Sequence, residues 1–235
     1  MPFSLRTSSW GISDSVVFEY NSVKRLERIL LYNNKTLQQT NRVTYDSDNK
    51  LIQYTQTYTN SAEPFQTHDV IYDSKGKPAY TNVWESDTSL PPAVITYTHN
   101  GTGRLVTKEN NKTGYFWHYQ YNDHDNVIKT FYKNPLLSGE VLGRENHTFD
   151  DRPTFYTNSP ELTILFIYIL GFEPSKNNVM TSTIRWGDPG YQEPSPRAIS
   201  HTLLYDDNGL ITSDVSQGST VQGEFFYEDV IYDCQ

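Results

Sequence analysis

The chain has 235 residues, 36% of them hydrophobic and 14% aromatic, with 18 tyrosines and a formal net charge of −9. That length suits one all-β domain, and the negative balance repels a phosphate backbone, which argues against nucleic-acid binding. The lone cysteine, Cys234, can form no internal disulfide and so gives no sign of a redox compartment.

Residues 1–14 read as a polar lead-in. They lack the charged start and apolar core of a signal peptide, and 15–235 read as a single domain. Within it, short alternating runs end on an aromatic followed by Asp or Asn: Tyr20-Asn21, Tyr45-Asp46, Tyr72-Asp73, Tyr97-Thr98, Tyr121-Asn122 and Tyr205-Asp206, with Phe149-Asp150 as a variant. An apolar or proline residue lies six positions on in most copies: Leu26, Leu51, Pro78, Val127, Phe155 and Ile211. After Tyr97 that residue is Leu105, eight positions on, so this copy has two extra turn residues. Successive aromatics are about 25 residues apart through Phe149, the spacing of a repeat architecture. The gap to Tyr205 is about twice that, as though one copy were masked or replaced.

Period-two runs rich in β-branched and aromatic residues predict strands. The Asp or Asn that follows can bond the backbone two residues on and start a turn. Asn49, Gly76 and Gly209 stand four residues after the tyrosine, where a left-handed backbone is expected. The copies therefore predict a meander of about 14 to 16 antiparallel strands, since consecutive hairpins with short turns lie side by side. So wide a sheet tends to curl, giving an open sheet or a partial barrel.

In chain order, hairpins are expected at 16–32, 42–58, 69–84 and 94–109. A ring-rich strand follows at 115–121, with its return at 127–132. Residues 134–144 read as a loop. Ser159-Pro160-Glu161 then carries a helix-start signal of capping serine, first-turn proline and glutamate at the positive helix end. One short helix or plug is expected at about 160–170, with Gly171 as its stop; the β-branched content leaves a strand as the alternative. The apolar run 162–172 is too short to span a bilayer as a helix. Strands at 179–186, 199–205, 211–215, 223–227 and 230–232 close the chain, with 187–196 as a loop.

The Tyr-Asp-x-x-Gly-x-[Leu/Ile] pattern resembles the YD repeat of the Rhs/YD-repeat family. Thr148-Phe149-Asp150-Asp151-Arg152-Pro153, followed by Pro174-Ser175-Lys176-Asn177-Asn178-Val179, resembles a pattern in uncharacterised YD-repeat surface lipoproteins of Bacteroidetes-type bacteria. The likeness covers roughly residues 15–233, and Tyr97, which lacks the Asp, and Phe149, which lacks the Tyr, depart from it. It implies a cell-surface, periplasmic or secreted setting and, loosely, carbohydrate binding.

The functional candidates are rings. Tyr115, Trp117, Tyr119 and Tyr121 share one strand face by alternation, and Trp84 and Trp186 are similar. Exposed, they could stack on a sugar or an apolar ligand; packed, they are the core of the sheet. Acidic turns such as Asp46/Asp48 and Asp206/Asp207 match no full calcium loop and read as turn caps. His118, His124 and His147 lack metal spacing, so no metal or cofactor is expected. Three readings follow. The first is a non-enzymatic surface or secreted binding module for a glycan, peptide or partner protein, with Tyr115, Trp117, Tyr119, Trp84 and Trp186 in its site. The second is a structural or assembly scaffold. The third is a hydrolase using carboxylates such as Glu140 and Glu145.

Overall fold

The structure is a computed structural model that describes residues 3–9, 12–87, 89–135, 139–185, 196–205, 207, 211–218 and 226–232. Sixteen strands follow one another along those residues. They are β1 (Phe3–Ser9), β2 (Ile12–Tyr20), β3 (Leu26–Asn33), β4 (Thr36–Tyr45), β5 (Leu51–Tyr58), β6 (Gln66–Tyr72), β7 (Pro78–Glu85) and β8 (Ala93–His99). Then come β9 (Leu105–Asn110), β10 (Phe116–Tyr121), β11 (Val127–Lys133), β12 (Val141–Pro153), β13 (Asn177–Ile184), β14 (Arg197–Tyr205), β15 (Ile211–Gly218) and β16 (Phe226–Tyr232). Every strand pairs antiparallel with its neighbours in sequence, the meander that the hairpin pattern predicts.

The thirteen strands β2 to β14 curl without closing on themselves. The terminal strands complete the circuit. β1 sets Phe3 opposite Phe18 of β2 on one side and opposite Tyr232 of β16 on the other. Three expectations change here. The lead-in at 1–14 supplies β1 and the start of β2. Where two strands are expected, at 223–227 and 230–232, residues 226–232 are the single β16, and 223–225 lie outside the described residues. Residues 141–153, expected as part of a loop and then a turn, are one long strand, β12.

Each regular hairpin is built by the same local chemistry. The carboxylate or amide oxygen after the aromatic accepts two backbone N–H groups, from residues two and four further on. Asp46 takes those of Asp48 and Lys50 at 2.9 and 2.8 Å; Asp73 takes those of Lys75 and Lys77 at 2.8 and 2.9 Å. Asn21, Asn100 and Asn122 do the same. The chain then turns through positive φ at Lys24, Asn49, Gly76, Gly103 and Asp125, as expected for Asn49 and Gly76; Gly209 lies outside the described residues. A bulge follows, so that the aromatic pairs with the residue six positions on: Tyr20 with Leu26, Tyr45 with Leu51, Tyr72 with Pro78, Tyr121 with Val127 and Tyr205 with Ile211.

The copy at Tyr97 corrects the repeat register. His99, not Tyr97, pairs with Leu105 across the bulge, and Asn100 caps the turn. The unit is regular in length, with a histidine in the tyrosine position.

Successive hairpins are stitched by the repeat tyrosines. The hydroxyl of Tyr45 donates to the Leu26 carbonyl at 2.8 Å, that of Tyr72 to Leu51 at 2.5 Å and that of Tyr121 to Leu105 at 2.6 Å. The acceptor is each time the carbonyl of the residue across the bulge in the preceding hairpin. The cation just before that residue lies over the same ring: Arg25 at 5.9 Å from the centre of Tyr45, Lys50 at 5.5 Å from Tyr72, Arg104 at 5.6 Å from Tyr121.

The Phe149 copy is opened by an insertion. Asp150 still accepts the N–H two residues on, from Arg152, but its second donor is Asn178. Phe149 pairs with Val179, thirty residues away instead of six. No repeat is missing between β12 and β14; the wide gap is a hairpin turn enlarged into a plug. Ser159 caps it by accepting the Leu162 N–H at 3.3 Å, with Pro160 in the first turn. One α-helical turn, Pro160–Thr163, runs into a π-helical segment, Ile164–Ile169, and Gly171 ends it at φ 81°. The helix expected at 160–170 is therefore present, and the strand alternative is not. Leu165 to Ile169 are all buried. Phe166 stacks on Tyr156 and meets Phe18, Phe155 and Phe172, while Tyr168 packs edge-on against Tyr97 at 4.9 Å. Burying such side chains is worth about 1.5–3 kcal/mol each before ordering costs.

Removing a stitching hydroxyl leaves a carbonyl without its donor, at a cost of about 1–3 kcal/mol. Tyr45→Phe and Tyr72→Phe are each expected to lower the denaturant midpoint with an unchanged slope. The exposed Tyr115→Phe is expected to stay within about 0.5 kcal/mol of the parent.

Candidate functional site

The rings singled out from the sequence do not form one exposed strip. Tyr119 is 4% exposed and belongs to the core. Trp117 is half-buried against that core, and Tyr115 lies exposed at the strand entrance, stacked on Trp117 at 5.9 Å. Trp84 is on the opposite wall face from its buried neighbour Val83. Its indole N–H donates to Asp69 at 2.8 Å, and Asp69 also accepts from Gln53. Trp186 lies outside the described residues. Of the carboxylates considered for hydrolysis, Glu140 at the entrance to β12 contacts His118 of β10 at 3.2 Å, and Glu145 contacts Lys129 of the adjoining β11 at 3.4 Å.

Behind Trp117 the wall carries two buried bases that the ring pattern does not reveal. Lys108 is 7% exposed, with its ammonium 5.6 Å from the centre of the Trp117 ring. It has no carboxylate within ion-pair distance among the described residues. Burial lowers its pKa to about 8. Gly171 at the plug's end leaves room for it, since a Cβ there would lie 3.3 Å from the ammonium nitrogen. His68 is 5% exposed and contacts Gln66 Oε1 through Nε2 at 2.9 Å, with Nδ1 unpartnered. Burial first, and the nearby Lys108 second, lower its pKa to about 4 and keep the ring neutral.

Among the described residues an open concavity lies elsewhere, at the rim that carries the repeat turns. There the plug meets the turn tips around a cleft of ≈ 270 Å³. Leu105 and Ile167 give it an apolar side. Lys77 and Arg104 come from consecutive turns and Lys176 from the plug's exit. Arg104 is ion-paired with Asp125. Lys77 lies across Gly103, its Cε 3.3 Å from where a Cβ would stand. Tyr168 reaches the cleft from the plug and contacts His99 Nε2 through its hydroxyl at 2.8 Å. The histidine in the tyrosine slot thus holds the plug instead of stitching two hairpins. Burial, then Lys77, lowers the His99 pKa, and Asp73 opposes them.

Fold and cleft together define an all-β, antiparallel meander barrel whose plug grows from one enlarged repeat turn. No family model matches the chain, and no curated protein matches it. Among solved structures it is similar to a porin-like protein from Bacteroides uniformis, with a TM-score of 0.60 at 14% identity, over 98% of this chain and 95% of that one. It also aligns with TcdB2-TccC3, with a TM-score of 0.38 at 11% identity, over 87% of this chain but 13% of that one. A Tc holotoxin pore from Photorhabdus luminescens gives 0.35 at 12% identity, over 87% and 14%. At these identities the likeness shows the fold alone. No helix among the described residues is long and apolar enough to cross a membrane.

Lys108 sets a pH dependence. Its folded pKa, about 8, lies below the ordinary lysine value. Its charge therefore weakens the fold below pH 8, and the penalty fades as pH rises from about 8 to 10.5. Lys108→Met is expected to be more stable than the parent near pH 7, by up to roughly 3 kcal/mol, with an advantage that shrinks by pH 10. Paired denaturation curves at the two pH values check this.

Proposed function

We propose that the protein is a non-enzymatic binding module of the YD-repeat type, working at the cell surface, in the periplasm or as a secreted protein, and that its ligand enters the cleft at the turn rim. The observation that carries the reading is the cleft itself. It is a preformed concavity with an apolar side and convergent polar groups, the usual character of a ligand site. Family membership rests on the repeat. The Tyr-Asp turn and its tyrosine stitch recur at Tyr45 and Tyr72, and an asparagine-capped variant recurs at Tyr121.

A pore in a membrane is a poorer reading. Exposed strand positions include Glu27, Arg42, Thr96, Glu109, Gln120 and Lys133. A lipid-facing wall needs an apolar band there.

A scaffold role is the second reading, favoured by the filled interior: the plug occupies the barrel, and the repeat rings pack against it. A glycan and peptide array separates the two, run with the parent and with Lys77→Trp, which blocks the cleft mouth from an exposed turn. Saturable binding by the parent that is lost in Lys77→Trp, with melting temperature unchanged, is expected for the module. An array without hits, or hits indifferent to the block, would leave the scaffold.

A further inference from the structure

The chemistry of the rim cleft goes beyond the binding-module reading, on which it rests, because it selects a ligand class. Two ammonium groups in the lining, those of Lys77 and Lys176, have no carboxylate within 4 Å among the described residues. Arg104 does, in Asp125. The cleft thus offers two uncommitted positive charges on a protein whose net charge is −9. Within a Debye length of about 8 Å, such local charge decides what binds more than the distant balance does.

The hydroxyl groups add a second constraint. Tyr121 donates to the Leu105 carbonyl at 2.6 Å, Thr163 to the Tyr156 carbonyl at 2.8 Å and Thr157 to the Thr154 carbonyl at 2.8 Å. Ser175 is buried and its oxygen already accepts the Val127 N–H at 3.3 Å, so it does not meet a ligand. The protons of Tyr121, Thr157 and Thr163 are committed to the protein, so these three oxygens meet a ligand as acceptors, Thr157 through the lone pair left beside the bond it accepts from Thr154. A matching ligand must bring donors of its own to several of them. It must also bring a negative charge for the two lysines, and an apolar face for Leu105 and Ile167. At ≈ 270 Å³ the cleft is at the small end of ligand pockets, which suits a single ring.

We propose that the rim cleft is a site for an acidic monosaccharide unit, free or at the end of a glycan, with its carboxylate on Lys77 and Lys176 and its hydroxyls donating to the Tyr121, Thr157 and Thr163 oxygens. A sugar acid supplies all three requirements in one ring. A neutral sugar leaves the ammonium groups unanswered, and a simple carboxylate leaves the hydroxyl oxygens unanswered.

Titration calorimetry with glucuronate, glucose and acetate tests this on the intact chain. Glucuronate is expected to bind and the other two not measurably. A charge-assisted contact is commonly worth about one factor of ten, so Lys77→Met and Lys176→Met are each expected to weaken glucuronate about tenfold. Raising the salt should weaken it further. Both substitutions are on exposed side chains, and unchanged melting temperatures certify the fold. Equal binding of glucose, equal binding of acetate, no binding of glucuronate, or full affinity in both lysine variants overturns the assignment. An array ligand that is neutral yet blocked by Lys77→Trp would keep the binding module and sink only the acidic-sugar class.

Discussion

A phenol proton donated to a carbonyl in the preceding hairpin organises this molecule. A bulge beside each turn lets the aromatic pair with a residue six positions on, and that residue's carbonyl is the next unit's acceptor. Tyr45, Tyr72 and Tyr121 reach back to fill it at Leu26, Leu51 and Leu105. Stripping a buried carbonyl of its donor is costly, so each stitching hydroxyl secures the unit before it. The other copies differ: the unit after Pro78 carries His99, which contacts the Tyr168 hydroxyl instead. Where Phe149 has no hydroxyl to give, the Val127 carbonyl is taken by the Asn146 side chain at 2.8 Å. After the insertion, Tyr205 donates to the Asp150 carboxylate instead.

The plug follows from the same unit. Asp150 accepts its two N–H groups whether the second comes from four residues on or from Asn178, so the turn tolerates an insertion without losing its cap. The insert folds back into the barrel, where Glu173 accepts from Thr130 and Asn146 of the wall. Tyr156 donates to the Glu173 carbonyl. The interior is thereby given over to packing, and the cleft lies where the plug meets the turns.

Much of this was legible in the chain, for local reasons. Strand alternation, Asx turns and a positive-φ residue at a fixed offset are short-range signals, and they placed most strands and the Ser159-Pro160 helix start. The errors arose where a signal was imitated or displaced. Tyr97 imitates the repeat tyrosine two residues before the true slot, which His99 fills. The enlarged turn resembled a lost copy because Val179, its closing residue, is far along the chain. Alternation put Trp117, Tyr119 and Tyr121 on one face, but whether that face is wet depends on residues 155–172 folding onto it. The cleft was invisible in the sequence because Lys77, Arg104 and Lys176 come from three separate turns, and nothing local marks them as neighbours.

The stitch is tested most directly by an alkaline titration followed through tyrosinate absorbance. Burial, as the largest cause, raises the phenol pKa values of Tyr45, Tyr72 and Tyr121 well above the ordinary range. The Tyr168 pKa is raised to about 12 by burial and by Asp73. Raised phenol pKa values stabilise the fold below the unfolded value near 10, and that stability is lost as pH climbs toward the folded values. The account predicts two phases. A first phase falls near the ordinary phenol value of about 10, and the stitching set ionises later, together with loss of the fold. In Tyr45→Phe, Tyr72→Phe and Tyr121→Phe the late phase should shrink. A single phase near pH 10, with the fold intact, would contradict the account.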